Sequence, residues 1–284
     1  MLERLLSNLE QQRTEGLFDL SIVIVDNDRS GSARQTVEAF ARESKISLHY
    51  EVEPVQNIAR ARNRTVALAR GDFAAFIDDD ESPVEEWLLR MYRTLLSYGA
   101  DGVFGPVLPQ YATAPPQWMI KADLFERPRY ETTGSVINWK QTGMGNVLVR
   151  RKILEELAGP FNEAFGSGGE DVDFFRRAEE LGKVLVWCGE ATVYETVPPD
   201  RMRLSFQLRR ALLRGKATQS HPIGRATGIL KSLSAFGLYT LLLPLLLLRG
   251  RHLFVKYLVK DFDHIGKLLA ACGIDVIKEK YILK

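Results

Sequence analysis

The sequence contains little cysteine and little histidine. Its 284 residues include two cysteines and four histidines. Cys188 and Cys272 form neither a disulfide framework nor a zinc-binding pattern, which is typical of a protein from a reducing compartment. The histidines are scattered along the chain, which argues against a histidine-based metal site. They are His49, His221, His252 and His264.

No cleavable signal sequence or internal repeat is evident in the sequence, and apolar runs are short. Residues 1–10 have the pattern of an amphipathic helix rather than of an apolar signal segment. The longest strongly apolar stretch, Ser232–Leu248, has no charge over 17 residues. A spanning helix needs about 20 apolar residues. A membrane span, an interfacial segment and a core helix of a soluble homodimer therefore all stay open.

Charge is distributed unevenly along the chain. Residues 1–200 carry 22 Lys and Arg against 32 Asp and Glu, a net −10, whereas residues 201–284 carry 16 against 4, a net +12. The second segment is also rich in leucine. A basic and apolar composition favours an anionic membrane surface over nucleic acid. We therefore predict a catalytic domain over 1–200 and a helical, membrane-associating region over 201–284.

Apolar runs alternate with helical patterns in the first half of the chain. Leu20–Asp26 and Phe73–Ile77 have the composition of buried strands, and helices are expected between them. This order predicts an α/β fold with a doubly wound, mostly parallel sheet and helices on both faces. A helix is expected over Pro83–Tyr98, and an irregular, functional segment over residues 108–142.

Four consecutive acids, Asp78–Glu81, follow the second of these strands. Such a cluster costs desolvation and repulsion unless a cation neutralises it. Mn²⁺ and Mg²⁺ prefer carboxylate oxygens, and ligands bind at the carboxyl ends of strands in open α/β sheets. The alternative is a solvated acidic loop that caps a helix starting near Pro83.

Six short motifs resemble those of the family 2 glycosyltransferases with the GT-A fold, and they follow the order and spacing of that family. The resemblance covers roughly residues 1–216, about three-quarters of the chain. A seventh segment, Val193–Arg201, is similar to bacterial exopolysaccharide glucosyltransferases of the succinoglycan type. The six motifs are Val25–Asp28, Ala61–Asn63, Ala69–Asp72, Ile77–Asp80, Gly145–Asn146 with Arg150–Arg151, and Gly169–Asp171.

The resemblance implies roles for individual residues. Asp171, beside Glu170, matches the general base, and Gly166–Gly169 matches a flexible acceptor loop. Asp78 and Asp80 match the D-x-D pair that holds the metal, and Glu195 lies near the place of a metal-binding histidine. Residues implied in nucleotide-sugar binding are Asp26, Asn27, Asp28, Arg60, Arg62, Asp78, Asp79, Gly145, Asn146 and Arg210.

Several of these residues have simpler interpretations. Asp26 and Asn27 could form a helix-capping turn, Arg60 and Arg62 could be helix-surface charges, and Asp171 with Glu170 could cap a helix. The motif at Gln207–Arg210 resembles that of processive members, but Ala211 replaces its tryptophan, which argues against processive synthesis. The first strand of the family has no match ahead of the helix at Leu2.

The resemblance implies an inverting, metal-dependent transfer of a hexose, expected to be glucose, from a UDP-sugar. The acceptor would be a polysaccharide or a polyprenyl-diphosphate-linked glycan at the cytoplasmic face of the bacterial inner membrane. One alternative is a catalytically impaired, membrane-tethered accessory subunit that binds a nucleotide sugar or a partner transferase. A third hypothesis is a metal-dependent nucleotidyltransferase, although the sequence lacks the Gly-rich basic loop that such enzymes carry near the N-terminus.

Overall fold

The computed structural model describes residues 1–127, 129–130, 132–166, 168–220, 225–274 and 276. Ser167 of the expected acceptor loop lies outside the described residues, as do 221–224 and 277–284 of the expected C-terminal region. The chain divides into two compact units. The first comprises Met1–Gln110, Arg127–Gly166 and Glu170–Thr196, and the second comprises Tyr111–Glu126, 168–169 and the described residues from Val197 onward.

The first unit alternates strands and helices as the apolar runs predict. Its elements are α1 (Leu2–Glu10), β1 (Ser21–Asp26), α2 (Arg34–Glu43), β2 (Ser47–Val52), α3 (Ile58–Leu68), β3 (Phe73–Ile77), β4 (Glu81–Pro83), α4 (Trp87–Ser97), β5 (Gly102–Phe104), β6 (Val107–Tyr111), β7 (Asn146–Arg150), α6 (Arg151–Glu156), α7 (Glu170–Glu180), β8 (Leu185–Trp187) and β9 (Val193–Val197), with short 3₁₀ helices at Trp139–Gln141 and Glu163–Phe165.

The strands form three sheets. β1 pairs with β2 in parallel, a four-stranded sheet has the order β3-β7-β5-β8, and a three-stranded sheet has the order β4-β9-β6. The α/β class is confirmed, but the sheets are mixed rather than mostly parallel. β7 runs antiparallel to both β3 and β5 because the long segment between β6 and β7 brings the chain back in the opposite direction. Only one pair in the four-stranded sheet, β5 with β8, is parallel.

Helices cover both faces of the four-stranded sheet. Leu148 of β7 packs in a cluster with α1 and α4, whereas its neighbours Val147 and Val149 pack in a cluster with α6 and α7. Successive side chains of a strand point to opposite faces, so a strand that is apolar at every position is buried on both sides. β1 and β3 are less buried, and in the described residues each pairs with one strand only.

One boundary differs from the prediction in a way that affects the site. The expected helix from Pro83 begins only at Trp87, because Glu81–Pro83 forms β4. β4 pairs antiparallel with β9, in the register Glu81–Glu195 to Pro83–Val193. Proline is favoured at the start of a helix, but it is also accepted in an edge strand such as β4. The long-range pairing with β9 decides the conformation.

The second unit is helical. Its elements are α5 (Gln117–Ala122), a 3₁₀ helix at Pro199–Met202, α8 (Leu204–Ser220), α9 (Arg225–Arg249, continuous through Pro244) and α10 (Arg251–Ala271). α8 and α9 both pack along α10, and α5 packs on α10 as well. Two glycines allow α8 and α10 to approach closely: a Cβ at Gly215 would lie 2.1 Å from the Asp263 carbonyl, and one at Gly266 would lie 2.3 Å from the Leu212 carbonyl.

The outer face of α9 is apolar. Gly228–Arg249 is long and apolar enough to cross a membrane by length and composition, and only 6% of its most apolar window is buried. The face toward α10 is more polar, since Thr240 bonds to Asp261 at 3.0 Å and Ser232 lies 3.2 Å from His264 Nδ1. Seven leucines of α9 are more than half exposed: Leu230, Leu233, Leu238, Leu241, Leu245, Leu247 and Leu248.

Candidate active site

The four acids after β3 divide into an exposed pair and a buried pair. Asp78 and Asp79 are exposed, whereas Asp80 is 9% and Glu81 only 1% exposed. The pairing of β4 with β9 turns Glu81 into the interior, and the Asp80 carbonyl accepts a bond from the Thr196 N–H at 2.9 Å. This arrangement differs from the solvated acidic loop that was the alternative interpretation.

Glu81 is a buried acid beside the D-x-D pair. Its Oε2 accepts the Asp78 N–H at 3.1 Å, while Oε1 has no hydrogen-bond partner among the described residues. Burial, together with the nearby Asp78 carboxylate, raises the pKa of Glu81 to about 9. Gly145 makes this packing possible, because a Cβ there would lie 2.6 Å from Glu81 Oε1 and 3.0 Å from Asp78 Oδ2.

Arg62 connects the acidic end of β3 to the start of α7. Its guanidinium forms an ion pair with the buried Glu170 carboxylate and lies 3.8 Å from Asp78 Oδ1. The Arg62 side chain is only 15% exposed, so it is not a surface charge of α3. Burial raises the pKa of Glu170 to about 7, against the opposing effect of Arg62. Three predicted site residues therefore converge here from three separate elements.

Asp171 lies at the N-terminal end of α7, next to Glu170. The helix begins at Glu170, so Asp171 lies in its first turn. Asp171 is partly exposed, and its Oδ1 accepts the Val172 N–H at 2.8 Å. An aspartate at this place is compatible with both the capping and the general-base interpretation. A partly exposed carboxylate next to Glu170 can accept a proton from a substrate hydroxyl.

Asp26, Asn27 and Asp28 organise the turn after β1. The Asp26 carboxylate accepts bonds from the Asp28 N–H, the Ala33 N–H and the Tyr50 hydroxyl at 2.9 to 3.0 Å. The Asn27 amide donates to the Glu53 and Val55 carbonyls. Asp28 accepts from the N–H and hydroxyl of Ser30. These contacts order the turn that leads to α2, and a role in donor binding stays a prediction.

The remaining predicted residues lie in varied surroundings. Arg60 lies near the start of α3, and its Nε atom is 3.7 Å from Glu163 Oε2. Asn146 is buried: its amide donates to the Pro106 and Ala191 carbonyls and accepts the Trp87 indole N–H, so its contacts here are structural. The Arg210 guanidinium, in the second unit, lies 5.9 Å from the centre of the Phe125 ring.

Sequence reasoning missed Arg127. Its guanidinium donates to Glu195 Oε2 at 2.6 Å and interacts electrostatically with Glu81 and Asp78. Arg127 comes from the irregular stretch between α5 and β7, where no local pattern marks it. Glu81 was visible as the fourth acid of the run, but its burial depends on the pairing with β9. Only the folded chain brings these side chains together.

The predicted metal-binding residues are Asp78, Asp80 and Glu195. Within the described residues, no group of three or more His, Cys, Asp or Glu side chains is arranged to hold a metal ion. Mg²⁺ is commonly bound by one or two carboxylates and completes its shell with water and substrate phosphates. Asp78 and Asp80 stay the predicted pair for such a cation, whereas Glu195 forms an ion pair with Arg127.

Comparison with known proteins points to one enzyme family. The profile of Glycosyl transferase family 2 matches residues 1–158. The chain is 34% identical over 218 residues to the succinoglycan biosynthesis protein ExoM of Rhizobium meliloti, covering 74% of this chain and 69% of ExoM. It is 29% identical over 192 residues to the glycosyltransferase AglE of Haloferax volcanii, covering 66% of this chain and 60% of AglE.

Solved structures show the same fold at low sequence identity. Residues 1–349 of TarS from S. aureus, in complex with UDP-GlcNAc, superpose with a TM-score of 0.54 at 18% identity, covering 98% of this chain and 90% of that one. The complex of the same protein with UDP gives a TM-score of 0.53 at 17% identity. By its matching profile, its curated relatives and its GT-A type α/β fold, the chain belongs to the family 2 glycosyltransferases.

Proposed function

We propose that this glycosyltransferase moves a hexose, expected to be glucose, from a UDP-sugar to a hydroxyl of a polysaccharide or lipid-linked glycan. The observation that carries the proposal is Arg62, which joins Asp78 after β3 to Glu170 at the start of α7. These contacts support a shared site for the predicted D-x-D pair and the predicted base Asp171, which follows Glu170 in the chain. The name of ExoM and the sugar nucleotide bound to TarS support the acceptor class and the donor class.

The proposed chemistry is a single displacement with inversion. The acceptor oxygen attacks the anomeric carbon, and the bond from that carbon to the diphosphate breaks, its electrons leaving with the nucleoside diphosphate. Asp171 takes the proton of the acceptor hydroxyl. Glu170, which is buried and paired with Arg62, orients the start of α7 rather than taking the proton itself. The turn at Asp26–Asp28, with Arg60, Asp79 and Arg210, remains predicted to contact the donor.

Asp78 and Asp80 are the residues that would hold Mn²⁺ or Mg²⁺. When bound, such a cation would stabilise the negative charge on the departing diphosphate. Because the protein offers few ligands, the affinity for the cation should depend strongly on the diphosphate. The apolar face of α9 and the basic residues at its ends would hold the enzyme at an anionic membrane, at the cytoplasmic face of the inner membrane.

The test is calorimetric titration of UDP with and without Mn²⁺, followed by transfer assays. Asp80→Ala should lose the Mn²⁺-dependent part of UDP binding, whereas the exposed control Asp19→Ala should bind like the wild type. Asp171→Asn should bind UDP normally but transfer sugar about 10²- to 10⁴-fold more slowly, the usual contribution of a general base. Failure of the wild type to bind any UDP-sugar would refute the proposal and favour the accessory-subunit alternative.

A further inference from the structure

Two buried glutamates lie side by side beneath the acidic end of β3. Glu81 of β4 is directly opposite Glu195 of β9, and the two side chains are 1% and 7% exposed. Directly opposite residues of an antiparallel pair point to the same face, where two like charges would destabilise the sheet. Burial raises the pKa of Glu81 to about 9, which keeps this carboxyl uncharged at neutral pH. The buried Glu195 carboxylate still needs a cation from elsewhere in the chain.

Arg127 supplies this cation from the protein itself. Its Nη2 donates to Glu195 Oε2 at 2.6 Å, and its charge interacts with both Glu81 and Asp78. The Glu195 carboxylate is nearly buried, but 40% of the Arg127 side chain remains exposed. Arg127 is thus held by Glu195 while part of its side chain stays accessible to solvent. A fixed, partly exposed arginine is preorganised for an anion, because little side-chain freedom is lost on binding.

The predicted donor brings such an anion to this place. A nucleoside diphosphate is negative, and a pocket lined by carboxylates repels it unless fixed cations compensate. Arg62 is already engaged with Glu170 and Asp78. Arg127 adds a second guanidinium beside Asp78. The planar fork of N–H groups in arginine matches phosphate oxygens, and such charge-assisted bonds are stronger than neutral ones.

We propose that Arg127 binds the diphosphate of the donor, and that Glu195 is the positioning residue that orients it rather than a metal ligand. The inference rests on the proposed use of a nucleotide-diphosphate sugar. It assigns the cation-binding role to Asp78 and Asp80 alone. It also explains why a glutamate is suitable at residue 195, since a carboxylate can anchor a guanidinium and a histidine would serve this purpose less well.

The experiment compares Arg127→Met, Arg127→Lys and Glu195→Gln in the full chain, with the exposed Arg29→Met as the matched control. UDP and UMP are titrated by calorimetry at saturating Mn²⁺, and Mn²⁺ is titrated at saturating UDP. Arg127→Met should weaken UDP binding about 10- to 100-fold, the equivalent of one or two charge-assisted hydrogen bonds, and weaken UMP binding less. Arg127→Lys should recover part of the loss.

Glu195→Gln separates the two roles of residue 195. As a positioning residue, it should reduce the preference for UDP over UMP while the Mn²⁺ titration stays within about twofold of the wild type. A tenfold or greater loss of Mn²⁺ affinity in Glu195→Gln would overturn the assignment, as would unchanged UDP binding in Arg127→Met. Circular dichroism melting checks that each variant is folded. Loss of UDP binding in the wild type itself would instead refute the proposed function.

Discussion

At the scale of single residues, the site is organised by carboxylates placed where solvent cannot reach them. Glu81 and Glu170 are both almost fully buried, and burial raises the pKa of each. Burying an acid costs stability when it must ionise. The protein retains both groups next to the predicted donor site. This cost is expected where function, rather than stability, determines the residue.

Glu170 should make the stability of the unliganded protein depend on pH. Its folded-state pKa of about 7 lies above the ordinary value of 4.5, so the folded state binds the proton more tightly. Glu170 should therefore lower the free energy of unfolding as pH rises from about 4.5 to 7, by at most about 3 kcal/mol, while Glu81, with a pKa of about 9, should continue the fall to about pH 9. Urea unfolding at pH 5 and pH 8 measures this change.

Glu170→Gln should reduce this pH slope, because glutamine does not titrate. The variant loses overall stability as well, since Arg62 is left without its buried partner, so the slope and not the absolute value is the readout. Glu43→Gln, at an exposed position of α2, should keep the wild-type slope. An unchanged slope in Glu170→Gln would show that another group controls this pH range.

Gly145→Ala should disturb the site directly. The added methyl group would lie 2.6 Å from Glu81 Oε1, so the Glu81 and Asp78 carboxylates must move. We expect a loss of about 1–3 kcal/mol in stability, typical of overpacking, and a large loss of transfer activity. Gly143→Ala is the matched control, because nothing lies within 4 Å of its added Cβ. Equal activity of the two variants would contradict the predicted packing.

At the scale of elements, two close approaches determine the architecture. β4 places Glu81 opposite Glu195 in the first unit. In the second, α8 and α10 meet at Gly215 and Gly266, where the backbones come too close for any side chain. Small residues at helix crossings permit such contact and increase the packed area. The helical unit depends on this crossing, because α9 and α5 also pack on α10.

Gly215→Ala and Gly266→Ala should each destabilise the helical unit, although alanine has the higher helix propensity. The added Cβ atoms would meet backbone carbonyls at 2.1 and 2.3 Å, and backbone cannot move aside as a flexible side chain can. We expect a loss of about 2 kcal/mol or more per substitution. Thermal melting monitored by circular dichroism in detergent tests this.

Gly237→Ala on α9 is the control for this pair. Its added Cβ would meet nothing within 4 Å, so the gain in helix propensity of about 1 kcal/mol should appear as equal or higher stability. A melting temperature that rises for all three alanine variants would show that α8 and α10 do not cross as described.

At the scale of the whole molecule, charge and apolar surface separate along the chain. The acidic first part carries the predicted site, and the basic last part carries the exposed leucines of α9. An exposed apolar face of this size marks an interaction surface. The uncharged stretch Ser232–Leu248 is bracketed by the basic residues Lys231, Arg249 and Arg251, which favour anionic lipid as the partner.

The triple substitution Leu238, Leu241 and Leu245 to Gln should release the protein from membranes. In flotation with phosphatidylglycerol vesicles, we expect the wild type to bind and the variant to bind at least tenfold more weakly, because the buried apolar area is lost. Leu181→Gln, at an exposed leucine of the first unit, should bind like the wild type. Weaker vesicle binding at high salt would show that the basic residues contribute to membrane binding.

The soluble-homodimer alternative gives the opposite pattern. In that case the wild type would not float with vesicles and would elute as a dimer in gel filtration, whereas the triple variant would elute as a monomer.

The amino-acid sequence by itself determined the family, most elements of the α/β unit and the acidic end of β3. These features depend on local patterns: apolar runs make strands, and short motifs carry the resemblance. Tertiary structure alone decided that Glu81 is buried opposite Glu195, that Arg127 joins them, and that Tyr111–Glu126 belongs with the C-terminal helices. These contacts join residues far apart in the chain, so their free energy comes from pairing and burial that no local window contains.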